Sequence, residues 1–169
     1  MNMPTELLGT QRPNRVKHSY TQSVSGTPRD VFPLLCPIRE HDWAPGWSTD
    51  WVISRSGLVE QECMFQTPAK AGAKDASIWI VTRHDPSAYE VEMYKVTPGQ
   101  TVGKLAISLT AQGRTETRAQ ISYEFTSLGP DGDAFLDEFT EEWYVKFMRG
   151  WETAINHYLA TGEQLNVAA

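Results

Sequence analysis

SVSGTPRDVFPLLCPIREHDWAPGW, running from Ser23 to Trp47, is the stretch on which the fold turns. Its opening residues finish an alternating run, and Gly26-Thr27-Pro28 stops it. Thr27 has a side-chain oxygen able to cap free helix N–H groups. Pro28 suits the first helical position, where the N–H it lacks would go unbonded anyway. The spacing predicts a short helix over Pro28–Leu35 presenting Val31, Phe32, Leu34 and Leu35, with Cys36-Pro37 breaking it. A second helical turn is expected over Pro37–Trp43. It runs into Ala44-Pro45-Gly46-Trp47, a tight turn by its Pro-Gly pair.

Upstream, Val16, His18, Tyr20, Gln22 and Val24 share one face, and Lys17, Ser19, Thr21 and Ser23 the other. A period of two predicts a first strand with one wet side. Residues Met1 to Arg15 are mostly polar and read as a flexible arm without a signal-peptide core. Downstream, strands follow one another. Ser48–Arg55 and Leu58–Thr67 are expected to form a hairpin at Ser56-Gly57, with Lys70–Lys74 as a loop. Asp75–His84 and Ala88–Thr97 meet at Asp85-Pro86-Ser87. Pro98-Gly99 leads into Thr101–Ala111, and Gln112-Gly113 into Arg114–Leu128. Short connections imply antiparallel neighbours, seven strands in all with the first.

Beyond Leu128-Gly129-Pro130-Asp131-Gly132 the period becomes helical. Phe135, Phe139, Trp143, Phe147 and Trp151 step by four, and Leu136, Met148, Ile155, Tyr158 and Leu159 widen the stripe. Acidic residues crowd the start, where the helix dipole favours them, and Thr161-Gly162 reads as the stop. One helix of roughly 40 Å is expected, long enough to cross a sheet. The domain is set at residues 16–162, with 163–169 as a tail.

This order is an α+β one: strand, two short helices, six strands, long helix. It resembles the helix-grip superfamily, also called START-like or SRPBCC, of polyketide cyclase and lipid-transfer type. The opening carries the likeness: Thr27, Pro28, Val31, Phe32, Leu34 and Leu35, then Cys36, Pro37, Glu40, Trp43, Pro45, Gly46 and Trp47. The second group is similar to a bacterial subgroup of SRPBCC proteins. The resemblance implies a curved antiparallel sheet gripping a C-terminal helix, with a cavity between them.

Such a cavity carries a cost. Empty apolar space destabilises by about 24 cal/mol per Å³, so roughly 300 Å³ approaches a small domain's stability margin. Either a ligand uses the space or large side chains fill it, and the chain has six Trp, six Tyr and six Phe. Alternation points inward Trp51 and Ile53; Cys63 and Phe65; Trp79 and Val81; Val91 and Met93; Leu105, Ile107 and Leu109; Ile121, Tyr123 and Phe125. The candidate ligand-binding residues are accordingly Trp43, Trp47, Trp51, Cys63, Phe65, Trp79, Met93, Ile107, Tyr123, Phe147 and Trp151. Met93 and Met148 would give a deformable lining. Gly150 would leave room for a ligand or for close packing on Trp79.

Glu40, His41 and His18 are candidate acid/base groups. The alternative for the first two is a solvated turn in which Arg39 and Asp42 pair across three positions. The alternative for His18 is a core histidine with its hydrogen bonds satisfied. Trp43 and Trp47 are either stacking partners for a planar molecule or a structural aromatic lid. Arg83 and His84 either grip an anion or mark the wet end of a strand. Two cysteines, Cys36 and Cys63, read as separate buried thiols, and no spacing suggests a metal site. No cofactor is expected.

A net charge of −6 over 169 residues, without a basic cluster, argues against nucleic acid as a partner. No apolar run is long enough to insert in a membrane. A cytoplasmic protein is expected, as monomer or homodimer. The leading functional expectation is binding or carriage of a small hydrophobic or aromatic molecule. A cyclase or dehydratase acting on polyketide-like substrates and an interaction module of the Hsp90-activator type stand beside it.

Overall fold

Seven alternating runs pair into one antiparallel sheet in the computed structural model, which describes residues 12–70 and 75–166. The strands are β1 (Arg15–Ser25), β2 (Trp51–Ile53), β3 (Met64–Thr67), β4 (Ser77–Asp85), β5 (Glu90–Thr97), β6 (Thr101–Gln112) and β7 (Glu116–Ser127). Their order across the sheet is β1-β7-β6-β5-β4-β3-β2. Most of the expected arm, part of the Lys70–Lys74 loop and the end of the tail lie outside the described residues.

β1 and β2 form opposite edges, so the chain between them must cross the sheet's full width. Two short helices make that crossing: α1 (Pro28–Val31) and α2 (Glu40–Trp43). Thr27 caps α1 as expected, in a reciprocal capping box with Asp30. α1 is shorter than its apolar spacing suggests because Pro33 has no N–H to continue it. The chain tightens into a 3-10 turn over Phe32–Leu34. Gly46 has φ +72, and Trp47 N–H returns to the Ala44 carbonyl at 3.2 Å, closing the Pro-Gly turn.

The hairpin expected at Ser56-Gly57 is not formed. β2 pairs with β3 only as Trp51↔Gln66, Val52↔Phe65 and Ile53↔Met64. The chain from 54 to 63 is a loop, held by Glu60 accepting the Arg55 and Ser56 N–H groups and by Leu58 accepting the Ser54 hydroxyl. The register also reverses the expected facing of β2. Val52 lies beside buried Phe65, so Trp51 and Ile53 point outward, Ile53 with 57% of its surface exposed.

The single long helix is in fact two, α3 (Pro130–Glu138) and α4 (Glu141–Thr161). Phe139 leaves helical geometry, and the Thr140 side chain caps α4 through the Trp143 N–H at 3.2 Å. α3 lies directly on the β5–β6 turn, where a Cβ on Gly132 would come within 2.0 Å of the Gln100 carbonyl oxygen. α4 spans 21 residues, about 31 Å.

α4 is laced to edge strand β1. Glu152 accepts from the Ser23 N–H at 2.7 Å and the Tyr20 hydroxyl at 3.1 Å. Asn156 accepts from the Ser25 N–H and donates to the Ser23 carbonyl, while Gln22 donates to the Met148 carbonyl at 2.9 Å. These bonds cover an otherwise open edge. They also set the helix rotation: Tyr144, Met148, Ala154 and Ile155 are buried, and Trp143 is left 49% exposed. The step-of-four stripe therefore leaves the core at Trp143 and Phe147, because 3.6 residues per turn rotates an i+4 row around the helix. Gly150 is exposed, and a Cβ there would meet nothing within 4 Å, which rules out close packing on Trp79.

Candidate functional site

Side chains on a sheet stack in rungs across the strands. One inward rung runs Phe65↔Trp79↔Lys95↔Gly103↔Phe125. The next runs Val81↔Met93↔Leu105↔Tyr123↔His18. Phe65 and Trp79 stack face to face, centroids 5.4 Å apart and planes 9° apart, and Trp79 Nε1 donates to Thr67 Oγ1 at 3.1 Å. At position 103 a Cβ would lie 2.4 Å from the Phe125 ring, so glycine lets that ring fold over the sheet. Lys95 thus occupies the concave face among apolar neighbours, its Nζ 5.3 Å from the centre of the Trp79 ring.

The crossing segment supplies the opposite wall. Trp47 Nε1 donates to the Pro37 carbonyl at 2.7 Å, which aims the ring edge-on at Phe65 and Trp79. Lys70 Nζ lies 5.8 Å above Trp47. Trp43 Nε1 donates to the Leu34 carbonyl at 2.9 Å, and its ring meets Trp151 edge-on at 5.3 Å. Trp43 retains no accessible surface, so it buttresses the wall and touches no open space.

With α2 fixed that way, its charged residues divide. Arg39 and Asp42 pair at 2.6 Å on the outside, as the three-residue spacing predicts. His41 is also outside, hydrogen-bonded to Thr49 Oγ1 at 3.1 Å, and takes no part in the interior. Glu40 turns inward and keeps only 6% of its surface exposed. Burial raises its carboxyl to about 8, against the opposing pull of the Lys70 charge. Lys95 is displaced the other way, down to about 8, by burial and then by the like charge of Lys70. Tyr123 is held well above the usual phenol range by burial, with Glu40 and Tyr144 adding to it.

Among the described residues, neither the Glu40 carboxyl nor the Tyr123 hydroxyl has a hydrogen-bond partner. Among those same residues, no side-chain polar atom is both sealed from water and unpaired. Both groups therefore border space that a water-sized molecule reaches. Two surface clefts lie elsewhere: one of about 590 Å³ beside Gly26, Thr27 and Glu116, and one of about 190 Å³ on the outer sheet face at Tyr94 and Lys104.

The sequence-predicted residues separate accordingly. Trp47, Phe65, Trp79, Met93, Ile107 and Tyr123 come together on the interior walls, with Cys63 buried beside Phe65 on β3's side. Trp151 is half-buried behind Trp43. Trp51 is excluded, being on the outer face, and Phe147 is 38% exposed in a ladder with Trp143 and Trp151. His18 is structural: Nε2–H donates to the Phe139 carbonyl at 2.8 Å, and the ring packs on Phe139 and Tyr144. Arg83 is engaged by Glu90 at 2.6 Å, and His84 stacks on Phe32. Cys36 and Cys63 are free and buried. Reasoning from sequence missed Lys95 and Lys70. Parity from Val91 and Met93 does place Lys95 inward, although charged side chains usually take the wet face of a strand.

The arrangement can orient a polar group on an otherwise apolar molecule. Glu40 at neutral pH is mainly a neutral acid that donates, Tyr123 donates or accepts, and the lysines supply positive charge. Among the described residues no group of three side chains has metal-ligating geometry.

No family model and no curated protein matches the chain. Solved structures do. Norcoclaurine synthase from Thalictrum flavum, in complex with dopamine and hydroxybenzaldehyde, superposes with TM-score 0.65 at 10% identity, covering 89% of this chain and 94% of that one. Ara h 8.0201 gives 0.58 at 14% identity, covering 88% and 99%. A START superfamily protein from Mycobacterium smegmatis gives 0.59 at 11% identity, covering 85% and 97%. At such identities the likeness is one of fold, and the fold is the START-like helix grip.

Proposed function

We propose that this protein binds or carries a small hydrophobic or aromatic molecule between the concave face of its sheet and α4. One observation carries the reading: the Glu40 carboxyl and the Tyr123 hydroxyl have no hydrogen-bond partner among the described residues, stay within reach of water, and stand among apolar and aromatic side chains. Buried polar groups are normally paired within the protein, and those left free in a cavity serve to fix a ligand's orientation. The dopamine and hydroxybenzaldehyde held by the norcoclaurine synthase structure support an aromatic occupant. Native mass spectrometry on gently purified protein, followed by titration with lipids and aromatic compounds, tests it. A co-purifying or saturably bound hydrophobic compound is expected, and failure to bind any member of a broad panel refutes it.

A second reading, cyclase or dehydratase-type acid–base catalysis, draws on Glu40 alone. A carboxyl that keeps its proton to about 8 is suited to general-acid work at neutral pH. Turnover of a polyketide-like substrate that disappears in Glu40→Gln while binding persists would favour it.

The binding reading extends to a cytoplasmic protein, monomeric or paired as a homodimer, with neither nucleic acid nor membrane insertion. The charge of −6 supports the absence of nucleic acid. Among the described residues no helix is long and apolar enough to cross a membrane.

A further inference from the structure

We infer that the ligand is an anion: a carboxylate on an apolar or aromatic body, its charged end held by the ammonium groups of Lys95 and Lys70 beside Trp79 and Trp47. This deepens the binding reading above and rests on it.

Lys95 sits on the concave face, in a rung whose other members are Phe65, Trp79, Gly103 and Phe125. Placing an ammonium there sacrifices hydration. The Trp79 face, 5.3 Å from Nζ, returns only part of that hydration. Lys104 meets Glu92 at 2.8 Å, Arg83 meets Glu90 at 2.6 Å and Arg39 meets Asp42 at 2.6 Å, and among the described residues the other lysines and arginines without a carboxylate partner, Lys70 included, are solvent-exposed, whereas Lys95 is half-buried. Among the described residues no carboxylate lies within ion-pair distance of Lys95 or Lys70.

The nearby acid does not substitute. Glu40 interacts with Lys70, yet burial keeps its carboxyl largely protonated at neutral pH. Lys70 in turn acts on Lys95 as a like charge. The site therefore holds two cations, one neutral acid and one neutral phenol. Net positive charge at half-buried Lys95 with exposed Lys70 acting on it favours an anion. A carboxylate would accept from the two ammonium groups. Its apolar body would meet Met93, Ile107 and the indole edges, which offer no other charge.

Matched acid and amide pairs test this on the full chain at pH 7: benzoic acid with benzamide, naphthalene-2-carboxylic acid with its carboxamide, and decanoic acid with decanamide. Binding is read by calorimetry and by tryptophan fluorescence, to which Trp47 and Trp79 contribute. In at least one pair the acid is expected to bind ten-fold or more tightly than its amide. Lys95→Met and Lys70→Met are expected to erase that preference, with far-UV circular dichroism and a cooperative thermal melt showing that the variants fold. If amides bind as tightly as acids in the unaltered protein, the anion inference is overturned and the binding reading stands. If the acids win but both variants keep the preference, the assignment to these lysines is overturned. If none of the six compounds binds, the anion inference is overturned, and the binding reading is decided by the broader panel named above.

Discussion

His18 Nε2–H donates to the carbonyl of Phe139 at 2.8 Å, joining the edge strand β1 to the break between α3 and α4. A helix break frees backbone carbonyls that must find donors. His18 is the donor here, and Phe139 packs its ring on the imidazole at 4.8 Å. The break is thus stitched to the sheet, and the start of α4 is fixed with it.

His18→Phe keeps the ring contact and removes the donor. Leaving the Phe139 carbonyl unsatisfied costs about 1–3 kcal/mol. Urea unfolding is expected to show that loss, with the affinity of any bound compound unchanged. Stability equal to that of the unaltered protein would refute the stitching role.

Glu40→Gln should separate from the unaltered protein as pH rises. The carboxyl titrates at about 8 when folded and near 4.5 when unfolded, so between those values the folded state binds the extra proton. Stability then falls with increasing pH, by about 1.4 kcal/mol per unit at the steepest. The two proteins are expected to be alike near pH 4.5, and the glutamine variant the more stable by pH 8. Parallel pH profiles of the urea midpoint would contradict a buried Glu40.

Lys95→Met carries the opposite sign. The folded amine titrates at about 8 and the unfolded one near 10.5, so the unfolded state binds the extra proton between them. The cost of the ammonium is complete below pH 8 and fades as pH climbs toward 10.5. Without ligand, the methionine variant is expected to be the more stable at pH 7, with its advantage shrinking at pH 9–10. Thermal melts across that range give the answer, and a constant offset would count against an interior ammonium.

Gly150→Ala should stabilise. The position is exposed within α4, and the added methyl group meets open space. Alanine is favoured over glycine in a helix by about 1 kcal/mol. A raised melting temperature with unaltered ligand binding is expected; a fall would mean that Gly150 serves an unseen contact.

Much of the architecture was legible from local chemistry. Val16 to Val24 alternate, Thr27 and Pro28 announce a capped helix, Gly46, Gly99 and Gly113 occupy the left-handed turn positions, and each appears where residue type places it. The site was legible only in part. Trp47, Phe65, Trp79 and Tyr123 follow from strand parity and the Pro-Gly turn. Trp51 was misplaced because an edge strand with apolar residues on both faces takes its facing from the neighbour it pairs with, here Phe65 opposite Val52.

Sequence alone determined the order of the strands and helices and most inward faces, because alternation, capping and turn preferences act between residues a few positions apart. Tertiary structure decided that Glu40 turns inward while Arg39, His41 and Asp42 stay out, and that Lys95 shares a rung with Trp79. It also decided that one apolar stripe becomes two helices pinned by His18, Glu152 and Asn156. The facing of a charged side chain and the rotation of a helix depend on desolvation and on hydrogen bonds to distant strands, and those interactions exist only once the sheet has closed around them.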